Sequence, residues 1–490
     1  MVDRSILWNK LQDMGFGGEF LAALKSIYHN DSIKAAVNGM STRSIYLGRG
    51  LRQGCSLSPL LFALYVVDMG QSLQMSLEGI KVGTVTVSCL FFADDLLLIS
   101  TDEEGLLRLL SLVKYHTDLI NMEINTGKDK SEIISSVGNE GDFWDVKDDA
   151  GNSVLSLKQV IRYNYLGSPI LDSLHKTCNE KQKICISKAH KYKGSCMYVS
   201  KSGPDVVDVI LATWQNVALP SILYGTEVVP FSEATIDEIE KVQSQIAKFA
   251  LGVPIGTANI CSQIELGLKP FRHVLYEHQL KYYLRILKFD DSRWVKQALN
   301  EHYGMKQSPY LKYICQIRTM LSLYEFPMKE SKLVSMIDKF FIESINQKLA
   351  GHSLPWLLPI KRLRRIGYVQ ESKNSTCLAK FRYDMVDNGR KYPRCGRVSV
   401  HNLCPLCPCS ISNSVSHIAM YCPMVERTRK EKTEITFFRN VCLRKGFTEE
   451  YTFSLYINGF DWNENIVDSN DYLKRGAELS LVLDDWLSKW

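Results

Sequence analysis

The sequence has no run of 18 apolar residues, and its start, MVDRSILWNK, carries charges and a Trp but no apolar signal-peptide core. Secreted and membrane-spanning classes are therefore disfavoured. No internal repeat of fixed period is visible, which sets solenoids aside. Charge of one sign is scarce: a net +6 over 490 residues says little about partners. Fourteen cysteines are present without the even spacing of a disulfide framework. Cys55, Cys89, Cys185, Cys261 and Cys315 stand singly in apolar surroundings, the pattern of reduced thiols in an intracellular protein, nuclear or cytoplasmic.

What is present is a globular composition, 45% hydrophobic and 23% charged. A chain of this length holds roughly two to four domains. Residues 1–172 mix helical and short strand patterns and predict an α/β unit, with Gly15-Phe16-Gly17-Gly18 separating two helices. Ser58-Pro59 predicts an N-cap and first turn for Leu60–Val67, apolar on nearly every side and so expected to be buried all round. Residues 173–350 are dominated by helical periodicity. Its clearest stretch is Ile236, Ile239, Val242, Ile246 and Phe249, with a Thr235 to Glu238 capping box and Gly252 and Pro254 as stop signals. Residues 351–400 hold eleven Lys or Arg against Glu371, Asp384 and Asp387, either a solvated basic face or a site for a phosphate backbone. A cysteine cluster fills 401–430, and 431–490 form a tail whose end, 481–490, reads as an amphipathic helix.

Within the first region, FFADDLLLIS at 91–100 sets Asp94 and Asp95 between segments that read as buried strands, 85–92 and 96–99. An Asp at a turn commonly caps its own backbone. Two acids without Gly or Asn to form a primed turn make a poor hairpin but a good ligand pair for a divalent cation. The pair alone leaves the choice open. Upstream, LRQGCSLSP at 51–59 offers glycines for close backbone approach, Gln53 for a base edge or sugar, and a helix N-terminus that favours phosphate. Downstream come a strand-like MEI running into INTGKDKSE, with Lys128 and Lys130, and then YLGSPIL, where Tyr165-Leu166-Gly167 suits a tight hairpin.

In this order and spacing LRQGCSLSP, FFADD, INTGKDKSE and YLGSPIL resemble motifs B to E of the palm of reverse transcriptases from non-LTR, LINE-type retrotransposons. LPSILYGTEVVPF at 219–231 and the helical segment after it are similar to the region that follows the palm there. The resemblance implies an α/β palm remnant of a right-hand polymerase, a mostly α-helical thumb and connection, and a small C-terminal zinc-binding module. It implies RNA-directed DNA synthesis by nucleotidyl transfer with two Mg²⁺ ions, on an RNA template and a DNA primer. Asp94 and Asp95 would be the catalytic metal ligands. Arg52, Gln53, Gly54, Lys128 and Lys130 would bind nucleotide and template, and Tyr165, Leu166 and Gly167 would grip the primer. Motif A of that family would place its Asp immediately before Met1, so the chain as written is expected to be N-terminally truncated and impaired in catalysis. Asp3 stands too far along to replace it, since such a ligand must be placed to a fraction of an ångström. The rival reading is a non-catalytic protein that binds RNA or single-stranded DNA through residues 351–430.

The cluster CPLCPCSISNSVSHIAMYCP sets Cys404, Cys407, His417 and Cys422 as C-x2-C-x9-H-x4-C, three thiolates and an imidazole suited to a closed tetrahedral Zn²⁺ site. Cys409 is a neighbouring spare and Cys395 falls outside the pattern. Preceded by Lys361, Arg362, Arg364 and Arg365, such a module is similar to the C-terminal zinc motif of the same retroelement proteins. Cys404→Ala or His417→Ala should abolish both Zn²⁺ uptake and RNA binding, whereas Cys409→Ala should spare them. RNA affinity should fall steeply with salt as counterion release is lost. A chain that holds zinc in this cluster but ignores RNA at low salt would make the cluster a structural clip.

Overall fold

The computed structural model describes residues 1–350, except 30, 128, 149, 200–205, 254, 306 and 307, together with scattered positions between Ile435 and Val482. Lys128, Pro254, the basic set Lys361, Arg362, Arg364 and Arg365, Cys395, Cys409 and the zinc set Cys404, Cys407, His417 and Cys422 lie outside the described residues, as does most of 481–490.

The chain opens with helices α1 (Arg4–Asp13) and α2 (Gly18–Tyr28), then short strands β1 (Ser32–Ile33), β2 (Ala36–Val37), β3 (Met40–Ser41) and β4 (Ile45–Tyr46). Helix α3 (Ser58–Met75) leads to β5 (Ile80–Val82), β6 (Val85–Val87), β7 (Cys89–Phe92) and β8 (Asp95–Leu98). After α4 (Glu103–Leu119) come β9 (Glu132–Ile133), β10 (Phe143–Lys147), β11 (Ser153–Gln159), β12 (Arg162–Tyr165) and β13 (Ser168–Leu171). The rest is helical: α5 (Leu174–Val199), α6 (Val206–Thr213), a π-helical turn Trp214–Ala218, α7 (Leu219–Leu223), α8 (Glu233–Leu251), α9 (Asn259–Glu265), α10 (Phe271–Leu287), α11 (Trp294–Gly304), α12 (Pro309–Met320) and α13 (Glu330–Ala350). Two compact units result, residues 1–177 with 289–306, and residues 178–288 with 307–490. Among the described residues no helix is long and apolar enough to cross a membrane.

In the first unit one face of each of α1 to α4 meets a common core. Leu7 and Leu11 of α1, Leu21, Leu24 and Tyr28 of α2, Leu61, Tyr65, Val66, Met69 and Leu73 of α3, and Leu109 and Val113 of α4 fill it. Tyr65 is fully buried, and its phenol donates to the Ile120 carbonyl and accepts from the Asp3 amide. A polar tip so satisfied removes the cost that burying a hydroxyl would otherwise carry.

A half-buried guanidinium fixes the surrounding loops. Arg4 donates through Nε to the Gly50 carbonyl at 2.9 Å and through Nη1 to the carbonyls of Tyr28 and Leu47 at 3.1 and 2.7 Å. Its Nη2 donates to Asp31 Oδ2 at 2.8 Å, and Arg52 Nε donates to Asp31 Oδ1 at 2.9 Å. Charge-assisted bonds of this kind are the strong ones, and each partner depends on the others because an uncompensated buried charge is costly.

Several sequence expectations are corrected here. Helix α3 is not buried all round: Leu60 is exposed and only the face of Leu61, Tyr65, Val66, Met69 and Leu73 is covered, because α3 lies on one side of the core. Ser58 is its first helical residue rather than its N-cap, which is Leu57, and the Ser58 hydroxyl donates back to the Arg52 carbonyl. The strand-like MEI at 122–124 is irregular, and the strand there is only Glu132–Ile133. Leu90, Phe91 and Phe92 of β7 are exposed rather than buried, because among the described residues β7 pairs only with β8.

In the second unit α8 buries Ile236, Ile239, Val242 and Ile246 as its periodicity predicts, and Gly252 ends it in the left-handed conformation at φ 64°. Phe249, however, is exposed, and the cap is Ser232, whose hydroxyl accepts from the Thr235 amide. The cap is the last extended residue before the helix, and that residue is Ser232. Buried glutamines tie this unit together. Trp214 Nε1 donates to Gln243, and Gln279 donates to the carbonyls of Thr226 and Val229 while accepting from Tyr313. In the C-terminal part the buried Arg475 guanidinium lies over the rings of Phe438 and Tyr456, at 5.0 and 4.8 Å from their centroids.

Arg4→Met should cost the first unit about 3 kcal/mol by stripping Asp31 of one of its two cations and orphaning three carbonyls. Hydrogen exchange should quicken in α1 and in residues 47–52; unchanged protection there would show that Arg52 alone satisfies Asp31.

Candidate functional site

The hairpin β7–β8 carries the acid pair. Its register pairs Cys89 with Leu98, Leu90 with Leu97, Phe91 with Leu96 and Phe92 with Asp95, so the connection is the two residues Ala93 and Asp94. A two-residue hairpin turn requires positive φ at its first central residue, and Ala93 takes it at φ 54°. An L-residue there carries strain of about 1 kcal/mol. The sequence offers no Gly at this point, and the ladder imposes the turn on Ala93. Asp94 thus occupies the tip while Asp95 is held in the strand. Both are exposed, and neither carboxylate has a hydrogen bond or ion pair to the described residues. Beneath the hairpin the Phe91 ring lies against Gly70 of α3, and Ser88 anchors its base by donating to the Leu73 carbonyl.

A second hairpin, β12–β13, stands beside it. Tyr165 pairs with Ser168, leaving the two-residue turn Leu166-Gly167 with φ 47° and 74°, the positive values of a type I′ turn. The tight hairpin expected at Tyr165-Leu166-Gly167 is present. Burial first, and then the negative charge of Asp95, push the phenols of Tyr163 and Tyr165 above their ordinary values. Asp95 therefore lies within electrostatic reach of both rings. The Tyr163 hydroxyl donates to the Lys130 carbonyl at 2.7 Å, which ties the 127–130 turn to the same place.

The structure thus places Asp95 within electrostatic reach of the Tyr163 and Tyr165 phenols and ties Tyr163 to the backbone of Lys130. Arg52 is partly committed elsewhere, its Nε bound to Asp31, while Gln53 and Gly54 are exposed in the turn before α3. Asp3 is spent as the N-cap of α1: Oδ1 accepts from the Ser5 amide and hydroxyl, and Oδ2 lies near Arg49 and Asn121. The Ser5 hydroxyl in particular holds the Asp3 carboxyl below its usual range. Sequence reasoning missed Tyr163, although its alternation with Tyr165 along a strand was legible. It also missed Arg4 and Asp31, whose pairing follows no sequence period.

Residues 1–170 match the family model described as "Reverse transcriptase (RNA-dependent DNA polymerase)". The segment belongs with the reverse transcriptases of non-LTR retrotransposons. A similar protein is the transposon TX1 uncharacterized 149 kDa protein of Xenopus laevis, 29% identical over 28% of this chain and 11% of that protein. The Pol polyprotein from type-2 retrotransposable element R2DM of Drosophila melanogaster is 25% identical over 36% of this chain and 17% of its own length. The Pol polyprotein from type-1 retrotransposable element R2 of Popillia japonica is 26% identical over 46% and 30%. These matches span 11% to 30% of the curated relatives' lengths. The reverse transcriptase segment coincides with most of the first unit, including both hairpins.

The link between the two hairpins has a direct readout. Asp95→Asn should lower the phenol pKa values of Tyr163 and Tyr165, because a negative neighbour disfavours the tyrosinate and the variant removes it. Titration of 13C-labelled tyrosines by NMR checks this; unchanged values would separate Asp95 from the tyrosine hairpin.

Proposed function

We propose that residues 1–170 act as the palm of an RNA-directed DNA polymerase, with Asp94 and Asp95 holding the catalytic Mg²⁺. The observation that carries the reading is the β7–β8 hairpin, which presents two uncommitted carboxylates at an exposed tip beside the tyrosine hairpin. Unengaged carboxylate oxygens are the hard donors that Mg²⁺ takes from a protein, usually one or two such groups with substrate phosphates completing the shell. Bound there, Mg²⁺ would activate a primer hydroxyl and stabilise the leaving pyrophosphate.

The protein's own residues do the positioning. Ladder pairing holds Asp95 in the strand, and the two-residue turn holds Asp94 at its end, so the donor set is fixed before any substrate binds. Gln53 and Gly54 would meet template and nucleotide, the exposed amide by hydrogen bonding and the glycine by close approach. Lys128 and Lys130 supply positive charge for triphosphate, and Tyr165-Leu166-Gly167 support the primer end. Lys361, Arg362, Arg364 and Arg365 extend the RNA contact, with Cys404, Cys407, His417 and Cys422 holding Zn²⁺ in the same module.

A polypeptide of these 490 residues has its acid pair at the hairpin but Asp3 committed to capping α1. Primer extension on an RNA template with Mg²⁺ is expected when a family-like segment ending in Phe-Asp is joined before Met1. Asp94→Ala should then abolish it. Extension by the joined protein that survives Asp94→Ala would overturn the assignment of the hairpin as the metal site.

A further inference from the structure

The second unit contains a set of side chains that the polymerase reading does not use. His273 and Glu277 stand one turn apart on the same face of α10, and Asp338 and Phe341 share a face of α13 packed against it. Nε2 of His273 lies 2.7 Å from Asp338 Oδ1 and 3.6 Å from Glu277 Oε2. The imidazole is fully buried and stacked on Phe341 with centroids 4.7 Å apart, yet neither ring nitrogen has a hydrogen bond of good geometry among the described residues. A buried, oriented and unsatisfied imidazole is an uncommon and costly arrangement.

The two carboxylate oxygens of this set also hold a cation that belongs to the chain. Lys269 Nζ lies 2.8 Å from Asp338 Oδ1 and 3.3 Å from Glu277 Oε2. Lys281 holds the other Glu277 oxygen, Oε1, at 2.9 Å, which turns Oε2 toward His273. The His273 ring first, then Lys281 and Lys269, hold the Glu277 carboxyl well below the ordinary range against the effect of burial.

We propose that His273, Glu277 and Asp338 form a binding site for a first-row divalent cation, Zn²⁺ by its donor set, in which the Lys269 ammonium is the stand-in that the ion displaces. One imidazole and two carboxylates are a three-ligand set that leaves a fourth position for water. A tetrahedral ion with arms of about 2.05 Å separates its ligands by roughly 3.4 Å, and the observed 2.7 and 3.6 Å bracket that spacing. Two carboxylates balance the divalent charge once Lys269 swings out, and Lys281 stays as the outer partner that orients Glu277. His273 is closed off, whereas Asp338 is 39% exposed and gives the ion its way in.

The full chain, freed of metal with chelator and titrated with Co²⁺, tests this by absorption. A Cys404→Ser/Cys407→Ser background removes the thiolate site expected further along, whose charge-transfer band lies in the ultraviolet. There one equivalent of Co²⁺ should give only visible bands of a nitrogen–oxygen site, and His273→Ala should lose them. Asp338→Asn, nearly isosteric and at a partly exposed position, should weaken uptake at least tenfold without unfolding the chain. Lys269→Gln should tighten it at least tenfold, since the competing ammonium is gone. A folded Lys269→Gln chain that takes up no Co²⁺, or uptake unaltered by Asp338→Asn, would overturn the proposal and leave the cluster an ion-pair network between helices.

Discussion

The first unit depends on one buried carboxylate, Asp31, and the guanidinium that meets it. Arg4 binds three carbonyls and a carboxylate, and those partners come from the end of α2 and from the irregular segment before α3. Without it, residues 29–52 would have short two-residue strands and little else to define their path. Asp31, shared between Arg4 and Arg52, then fixes where LRQGCSLSP begins. A surface ion pair would do little here; the bonds matter because Asp31 is 6% exposed and water cannot replace either partner. The loop that meets nucleic acid in the proposed function is thus held from beneath by Arg4 and Asp31.

The acid-bearing hairpin and its tyrosine neighbour solve the same problem differently. Both use two-residue turns, one with Leu166-Gly167 at positive φ and one with Ala93 forced there. Strain concentrated where a side chain must be aimed is common at functional sites, and it persists only where the surroundings over-determine it. Here the four paired positions of β7 and β8 and the contact of Phe91 with α3 supply that determination.

Much of this was legible in sequence, and the misses have physical causes. The buried stripe of α8 and its Gly252 stop follow from local period and backbone freedom, which a sequence states directly. The Tyr165-Leu166-Gly167 hairpin was readable because turn chemistry is local too, whereas the acid pair lacks the Gly or Asn of a primed turn and read as a poor hairpin. Phe249, Leu60 and the outer face of β7 were misjudged because apolarity says what a residue prefers, whereas the number of neighbouring elements decides what it gets. Ser232 was passed over as a cap because Thr235 fits the same pattern, and only the backbone tells which residue is last extended. Arg4 with Asp31, and His273 with Asp338, are long-range pairs for which sequence offers no spacing rule.

Asp95 is aimed by the pleat of a strand and Asp94 by the turn that follows from its register. Side-chain direction in a strand alternates with every residue, so a shift by one position sends the whole set to the opposite face. The length of residues 89–98 is therefore as much a part of the site as the acids themselves. A single-codon insertion in either arm, which leaves every residue type in place and the reading frame intact, would turn Asp95 away as completely as deleting its carboxylate.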